Sequence, residues 1–111
     1  MYLSMVKSYR SEAERLNYEV DNHDGEVYLF GASIFSQFLF HSGLDEKNIV
    51  GIVDNSMTKQ GKRLYGTSLS VTSLDIVAKK AGAAVVVKAG QYQEEIEKQL
   101  IKINKNIRII T

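Results

Sequence analysis

Val27-Tyr28-Leu29-Phe30-Gly31-Ala32-Ser33 opens the stretch that decides the fold, and Ile49-Val50-Gly51-Ile52-Val53-Asp54-Asn55 closes it. The apolar run Val27–Phe30 reads as a buried strand, and three small residues then make a tight turn. A helix over Ile34–Ser42 follows, with Ser33 placed to cap it and Gly43 placed for a left-handed C-terminal cap. Ile34, Phe35, Phe38, Leu39 and Phe40 surround much of that helix, which predicts burial on more than one side. Asp45–Asn48 leads into a second apolar strand, Ile49–Val53. Asp54 falls 23 positions after Gly31. A strand, a small-residue turn, a helix and a strand ending on an acid form, in a doubly wound sheet, a crevice where nucleotides bind.

Outward from this unit the alternation continues. Before it, Leu3–Val20 is helical, with Leu3, Val6, Ala13 and Leu16 recurring at helical spacing, and Asn22-His23-Asp24-Gly25 breaks the pattern. After it, Asn55–Gly66 reads as a polar surface loop carrying Lys59, Lys62 and Arg63, ending in an extended piece at Ser68–Val71. Thr72-Ser73-Leu74-Asp75 resembles a capping box and predicts a helix to about Ala81, stopped by Gly82. Ala83–Val87 has the continuous apolar character of a parallel strand buried on both faces. Gln91–Ile103 is amphipathic, with Tyr92, Ile96, Leu100 and Ile103 as its buried stripe and Glu94 one turn from Lys98. Ile107–Ile110 is a last strand. The expected fold is α/β and Rossmann-like in three layers. Its parallel sheet has four strands or slightly more, in the order 2-1-3-4, preceded by an N-terminal helix. The expected organisation is one domain over residues 1–111, with the helix in 1–22 and the α/β core in 26–111. The turns Gly31–Ser33 and Lys88–Tyr92 then face each other at the switch point.

Composition narrows the function. The chain has 111 residues, 14 basic and 13 acidic side chains, and a net charge of +1. That balance gives no electrostatic basis for nucleic acid or an anionic membrane as partner. Without cysteine there is no disulfide, thiolate nucleophile or cysteine metal site, and two histidines are too few for a metal site of their own. No apolar run is long enough to span a bilayer and no signal pattern opens the chain, so a cytoplasmic location is expected.

Each candidate residue carries two readings. Gly31-Ala32-Ser33 is a fragment of a phosphate-binding turn, in which backbone N–H groups at a helix start attract an anion. Positions 33 and 36 are Ser, not Gly, and the same turn also occurs with no ligand. Asp54 is suited to a ribose diol, or to shaping the turn before Asn55-Ser56, the reading its neighbours favour. Lys59, Lys62 and Arg63 are suited to clamp a diphosphate from a loop, or simply to be solvated. Tyr92 and the adjoining Gln91 face the crevice, where Tyr92 either contacts a ligand or anchors the helix stripe. His41 reads as a helix C-terminal histidine and not as a general base, since no carboxylate partner is evident. The ligand-binding set is therefore Gly31, Ala32, Ser33, Asp54, Lys59, Gln91 and Tyr92, with no catalytic and no metal-binding residue.

Taken in order, these segments resemble the C-terminal domain of sugar C-methyltransferases, enzymes that methylate nucleotide-linked deoxysugars. The resemblance runs from about Val27 to Ile110. It rests on Gly31-Ala32-Ser33, on Leu39-Phe40-His41-Ser42-Gly43-Leu44-Asp45, and on Val53-Asp54-Asn55-Ser56 followed by Lys59-Gln60-Gly61. Gly66-Thr67-Ser68-Leu69-Ser70-Val71 and Tyr92-Gln93-Glu94-Glu95-Ile96 complete it. The chain departs from the family pattern at Ile34-Phe35-Ser36, at Tyr65 and Ser70 where the family has proline, and at Gly90-Gln91. The resemblance implies a Rossmann-like domain that helps hold a nucleotide-linked sugar. It also implies that S-adenosylmethionine belongs to a separate catalytic domain of a parent enzyme, since the residues before Val27 supply only one helix. On this reading the chain needs no cofactor of its own and is not catalytic alone. Two alternatives stand beside it: an NAD- or other dinucleotide-binding module of a sugar-nucleotide epimerase or dehydratase relative, and an interaction domain without a ligand.

Overall fold

The structure, a computed structural model, describes residues 2–111, with side chains from residue 9 onward. Leu3 and Val6 of the expected N-terminal stripe therefore lie outside the described side chains. Five strands, β1 (Val27–Phe30), β2 (Gly51–Val53), β3 (Val71–Thr72), β4 (Ala84–Val86) and β5 (Arg108–Ile110), pair in parallel in the order β3-β2-β1-β4-β5. Without β3 this is the expected order 2-1-3-4. The extended piece at Ser68–Val71 contributes the fifth strand, which pairs with β2 through Ile52–Val71 and Val53–Thr72. In register, Leu29 lies opposite Ile52 and Val86, and Val86 lies opposite Ile110.

Strand alternation divides the apolar residues between two faces. Val27, Leu29, Ile52, Ala84, Val86 and Ile110 join Leu39 of helix α2 (Ile34–His41) and Ala13, Leu16 and Val20 of helix α1 (Tyr2–Asp21). Tyr28, Val53, Val85 and Val87 join Ile96 and Leu100 of helix α3 (Gln93–Ile103), together with Leu74 and Val77. The middle layer is thus buried on both sides, which is why Ala83–Val87 is an unbroken apolar run. The crossover from β4 to β5 sends α3 to the second face. Helix α1 covers the β4–β5 part of the first.

Three expectations need correction. Helix α2 is not buried all round: Leu39 and Ser36 face the core, while Ile34 and Phe35 are 59% and 60% exposed and Phe38 is 39% exposed. The helix expected over Thr72–Ala81 is only a short 3-10 helix, Leu74–Val77, started by the Ser73 hydroxyl accepting from the Asp75 N–H at 3.2 Å. Tyr92 does not anchor the α3 stripe. It ends a 3-10 turn, Gly90–Tyr92, and is 57% exposed.

Two glycines fix the approach of neighbouring segments. Gly43 has φ +119, and the Leu44 N–H reaches back to the Leu39 carbonyl at 2.9 Å, closing α2 as expected. Gly25, at φ +137, lets the β1 entry turn pack against Gly82, where a Cβ would collide with the Gly82 carbonyl oxygen.

Candidate functional site

The carboxyl ends of β1, β2 and β4 open onto one crevice, as the change of strand direction at a switch point requires. It encloses about 920 Å³, and its walls include Gly31 and Ser33 from the first turn, Asp54 and Lys59 from the second, and Gln91 and Tyr92 from the third. Six of the seven residues expected from sequence are thus brought together. Ala32 participates through its backbone only. Lys62 and Arg63 do not line the crevice: their segment folds back on the β3 entry, with the Val71 N–H donating to the Lys62 carbonyl at 2.7 Å and an Arg63–Ser70 bridge.

The first turn is held from below. Ser36 donates its hydroxyl to the Gly31 carbonyl at 2.5 Å, and the Gly31 N–H donates to the Val53 carbonyl at 2.8 Å. Ser33 takes an extended N-cap conformation, yet its hydroxyl makes no capping bond. As at any helix start, the backbone N–H groups of Ser33, Ile34, Phe35 and Ser36 have no backbone acceptor, and the Ser33 hydroxyl supplies none. Unpaired amides at a helix start are anion donors. The Lys59 ammonium, donating to the Ala32 carbonyl at 2.8 Å, adds a positive charge at the same turn.

Asp54 does the work of a turn former. One carboxylate oxygen accepts the Ala32 N–H at 2.8 Å and the other accepts the Ser56 N–H at 2.7 Å. The acid at the end of β2 thus ties the β1 turn to the β2 turn. Beside it, Asn55 and Gln99 exchange two amide hydrogen bonds of 3.0 Å, joining the β2 turn to α3. On the third turn, the Ala89 N–H donates to Gln93 Oε1 at 2.8 Å, and Gln93 donates to Glu97 at 2.9 Å.

Helix α1 adds a wall that the sequence pattern did not signal. Tyr9 and Glu12 line the crevice. Glu12 accepts from Arg15 at 2.5 Å and pairs with Lys88 at 2.6 Å. The hydrogen bond from Arg15, reinforced by Lys88, holds the Glu12 carboxyl below its usual range against the opposing effect of burial. Nothing in the periodicity of α1 shows that its flank reaches the switch point. His41, by contrast, lies away from the crevice on a second cavity of about 640 Å³ that Glu46 also lines. Glu46 accepts from Ser68 at 3.2 Å.

No helix among the described residues is long and apolar enough to cross a membrane. No curated protein and no solved structure matches the chain. A family model does: that of the C-methyltransferase C-terminal domain, over residues 1–110. The match begins with the segment that forms α1 and runs through β5, so the covering helix, the sheet and the crevice all fall within one family unit, and the chain belongs to the family of C-methyltransferase C-terminal domains.

Proposed function

We propose that this chain is the nucleotide-sugar-binding domain of an S-adenosylmethionine-dependent sugar C-methyltransferase, and that it does not transfer methyl groups alone. One observation carries the reading: unpaired amides at the start of α2, with the Lys59 ammonium beside them, open onto a crevice of about 920 Å³. A diphosphate is the part of a nucleotide sugar that such a turn suits. The cavity lies in the size range of small-molecule sites. Two of the three carboxylates that line the crevice are already engaged, Glu12 with Arg15 and Lys88 and Asp54 with two backbone amides, and the third, Glu95, is exposed on α3. That supports a holding role and leaves the chemistry to a methyltransferase catalytic domain of the parent enzyme. It also weakens the dinucleotide alternative, which asks Asp54 to hold a ribose diol.

Chemical-shift mapping with a thymidine-diphosphate sugar tests this reading. Shifts are expected at Gly31, Ser33, Lys59 and Gln91. Ser33→Glu puts a carboxylate where the diphosphate sits and should abolish binding. The fold should survive, because the Ser33 hydroxyl caps nothing. No shifts at millimolar ligand, or shifts confined to other surfaces, would favour the interaction-domain reading. Incubation of the chain with S-adenosylmethionine and a nucleotide-linked ketosugar should give no methylated product. Turnover attributable to the chain would refute the non-catalytic role.

A further inference from the structure

The structure assigns a base-holding role to Phe35 and Tyr92: we infer that they form the two sides of an aromatic slot for the nucleobase of the bound nucleotide. This inference rests on the nucleotide-sugar reading and specifies which part of the ligand is gripped, and by what.

Phe35 is the second residue of α2 and Tyr92 the last of the turn before α3. Phe35 follows the first of the two facing turns of the switch point and Tyr92 closes the second, and both line the same cavity. Both are large, and both are more than half exposed, at 60% and 57%. Neither has a packing task that explains it. Helix α2 seats itself through Leu39 and Ser36. Phe38 has a ring partner in Tyr9, with centroids 5.5 Å apart. Phe35 and Tyr92 have no ring partner among the described residues. Helix α3 is anchored without Tyr92, by Ile96 and Leu100.

Aromatic side chains lining one concave cavity are a usual feature of small-molecule sites. A flat heteroaromatic ring is the part of a nucleotide sugar that stacks on a Phe or Tyr face, and such stacking tolerates different bases because every base has a π-face. Phe35 adjoins the free amides at the start of α2, so a diphosphate held there leaves its nucleoside within the same crevice. The sugar end is hydroxyl-rich and matches the polar side chains of Gln91, Asn55 and Gln99 on the remaining wall.

The test titrates the wild-type chain with thymidine diphosphate, with inorganic pyrophosphate and with a hexose 1-phosphate, by calorimetry and by aromatic chemical shifts. The same titrations follow for Phe35→Ala, Tyr92→Ala and Tyr92→Phe. The expected result is a loss of roughly tenfold or more in thymidine diphosphate affinity for each alanine variant. Tyr92→Phe should keep the affinity, and pyrophosphate should bind all variants alike. Both rings are exposed, so the variants should fold, and a heteronuclear spectrum verifies this. Thymidine diphosphate bound equally by wild type and both alanine variants would overturn the slot while leaving the nucleotide reading intact. An equal loss for pyrophosphate would overturn it too, since the rings would then shape the turn and not hold the base. A larger loss for hexose 1-phosphate than for thymidine diphosphate would move the rings to the sugar and overturn the assignment. A folded wild type that binds none of the three would overturn both readings together.

Discussion

At the scale of single residues, Asp54 is where a functional and a structural reading compete most directly. Its position after β2 is that of a ribose-binding acid, and its atoms are spent on backbone amides, one on Ala32 and one on Ser56. A carboxylate suits both bonds because both of its oxygens accept. A carboxamide has one acceptor and one donor group, so Asp54→Asn must set an NH2 against a backbone N–H. The expected outcome is a loss of about 1–3 kcal/mol in unfolding free energy without ligand, read from urea denaturation. A purely ligand-facing acid would show almost no change in that measurement. The candidate site was partly legible for the same reason. Gly31, Ser33, Asp54, Lys59, Gln91 and Tyr92 could be gathered from sequence because a parallel sheet sends strand ends to one edge. What each atom does there could not be read, because a turn-forming Asp and a ribose-binding Asp look alike in sequence. Glu12 and Tyr9 escaped entirely, since their contribution depends on how α1 is laid across the sheet.

At the scale of elements, the strands were legible and one helix was not. Val27–Phe30 and Ala84–Val86 are apolar runs buried in the middle layer, and the edge strand Arg108–Ile110 buries Ile110, so composition and position agree. The segment after Ser73 has a helix-like start and a Gly82 stop, yet forms only the 3-10 turn Leu74–Val77. Burial of Leu74 and Val77, three apart, suits a turn of three residues. A distant side chain then completes it: Asn104, just beyond α3, donates to the carbonyls of Val77 at 3.0 Å and Lys80 at 3.3 Å. The same two carbonyls accept the Lys80 and Ala83 N–H groups, each at 3.2 Å, in two successive tight turns, so Asn104 ties these turns to the end of α3. Asn104 also accepts the Asn106 N–H at 3.1 Å, shaping the entry to β5. Such a tertiary cap is invisible to any local window. Asn104→Ala removes all three bonds and should cost about 1–3 kcal/mol. Amide exchange should quicken in 74–82 and at the start of β5 before it does in β1. Uniform acceleration across the sheet would mean that Asn104 caps nothing in particular.

At the scale of the whole molecule, the question is what closes the first face of the sheet. A β1–α2–β2 crossover covers β1 and β2 on that face, while the β4–α3–β5 crossover puts its helix on the other. Ala84, Val86 and Ile110 would then meet water, and all three are 3% exposed or less. Helix α1 removes the exposure through Ala13, Leu16 and Val20, which share one core with those strand residues. It also reaches the crevice, one turn from Leu16, where Glu12 holds Lys88 at 2.6 Å. The N-terminal helix is therefore the missing part of a layer as well as a wall of the site. Leu16 is fully buried, so Leu16→Ala leaves a cavity that its neighbours fill only in part. The expected cost is about 2–5 kcal/mol, a large fraction of the roughly 5–15 kcal/mol by which such a domain is stable. Ile101, half exposed on α3, is the control, and Ile101→Ala should stay within about 0.5 kcal/mol. Amides of β4 and β5 should lose protection in Leu16→Ala more than those of β2 and β3, because α1 covers the first pair. If Leu16→Ala matched the wild type in urea midpoint, α1 would be an attachment to a complete sheet and not the element that finishes its first face.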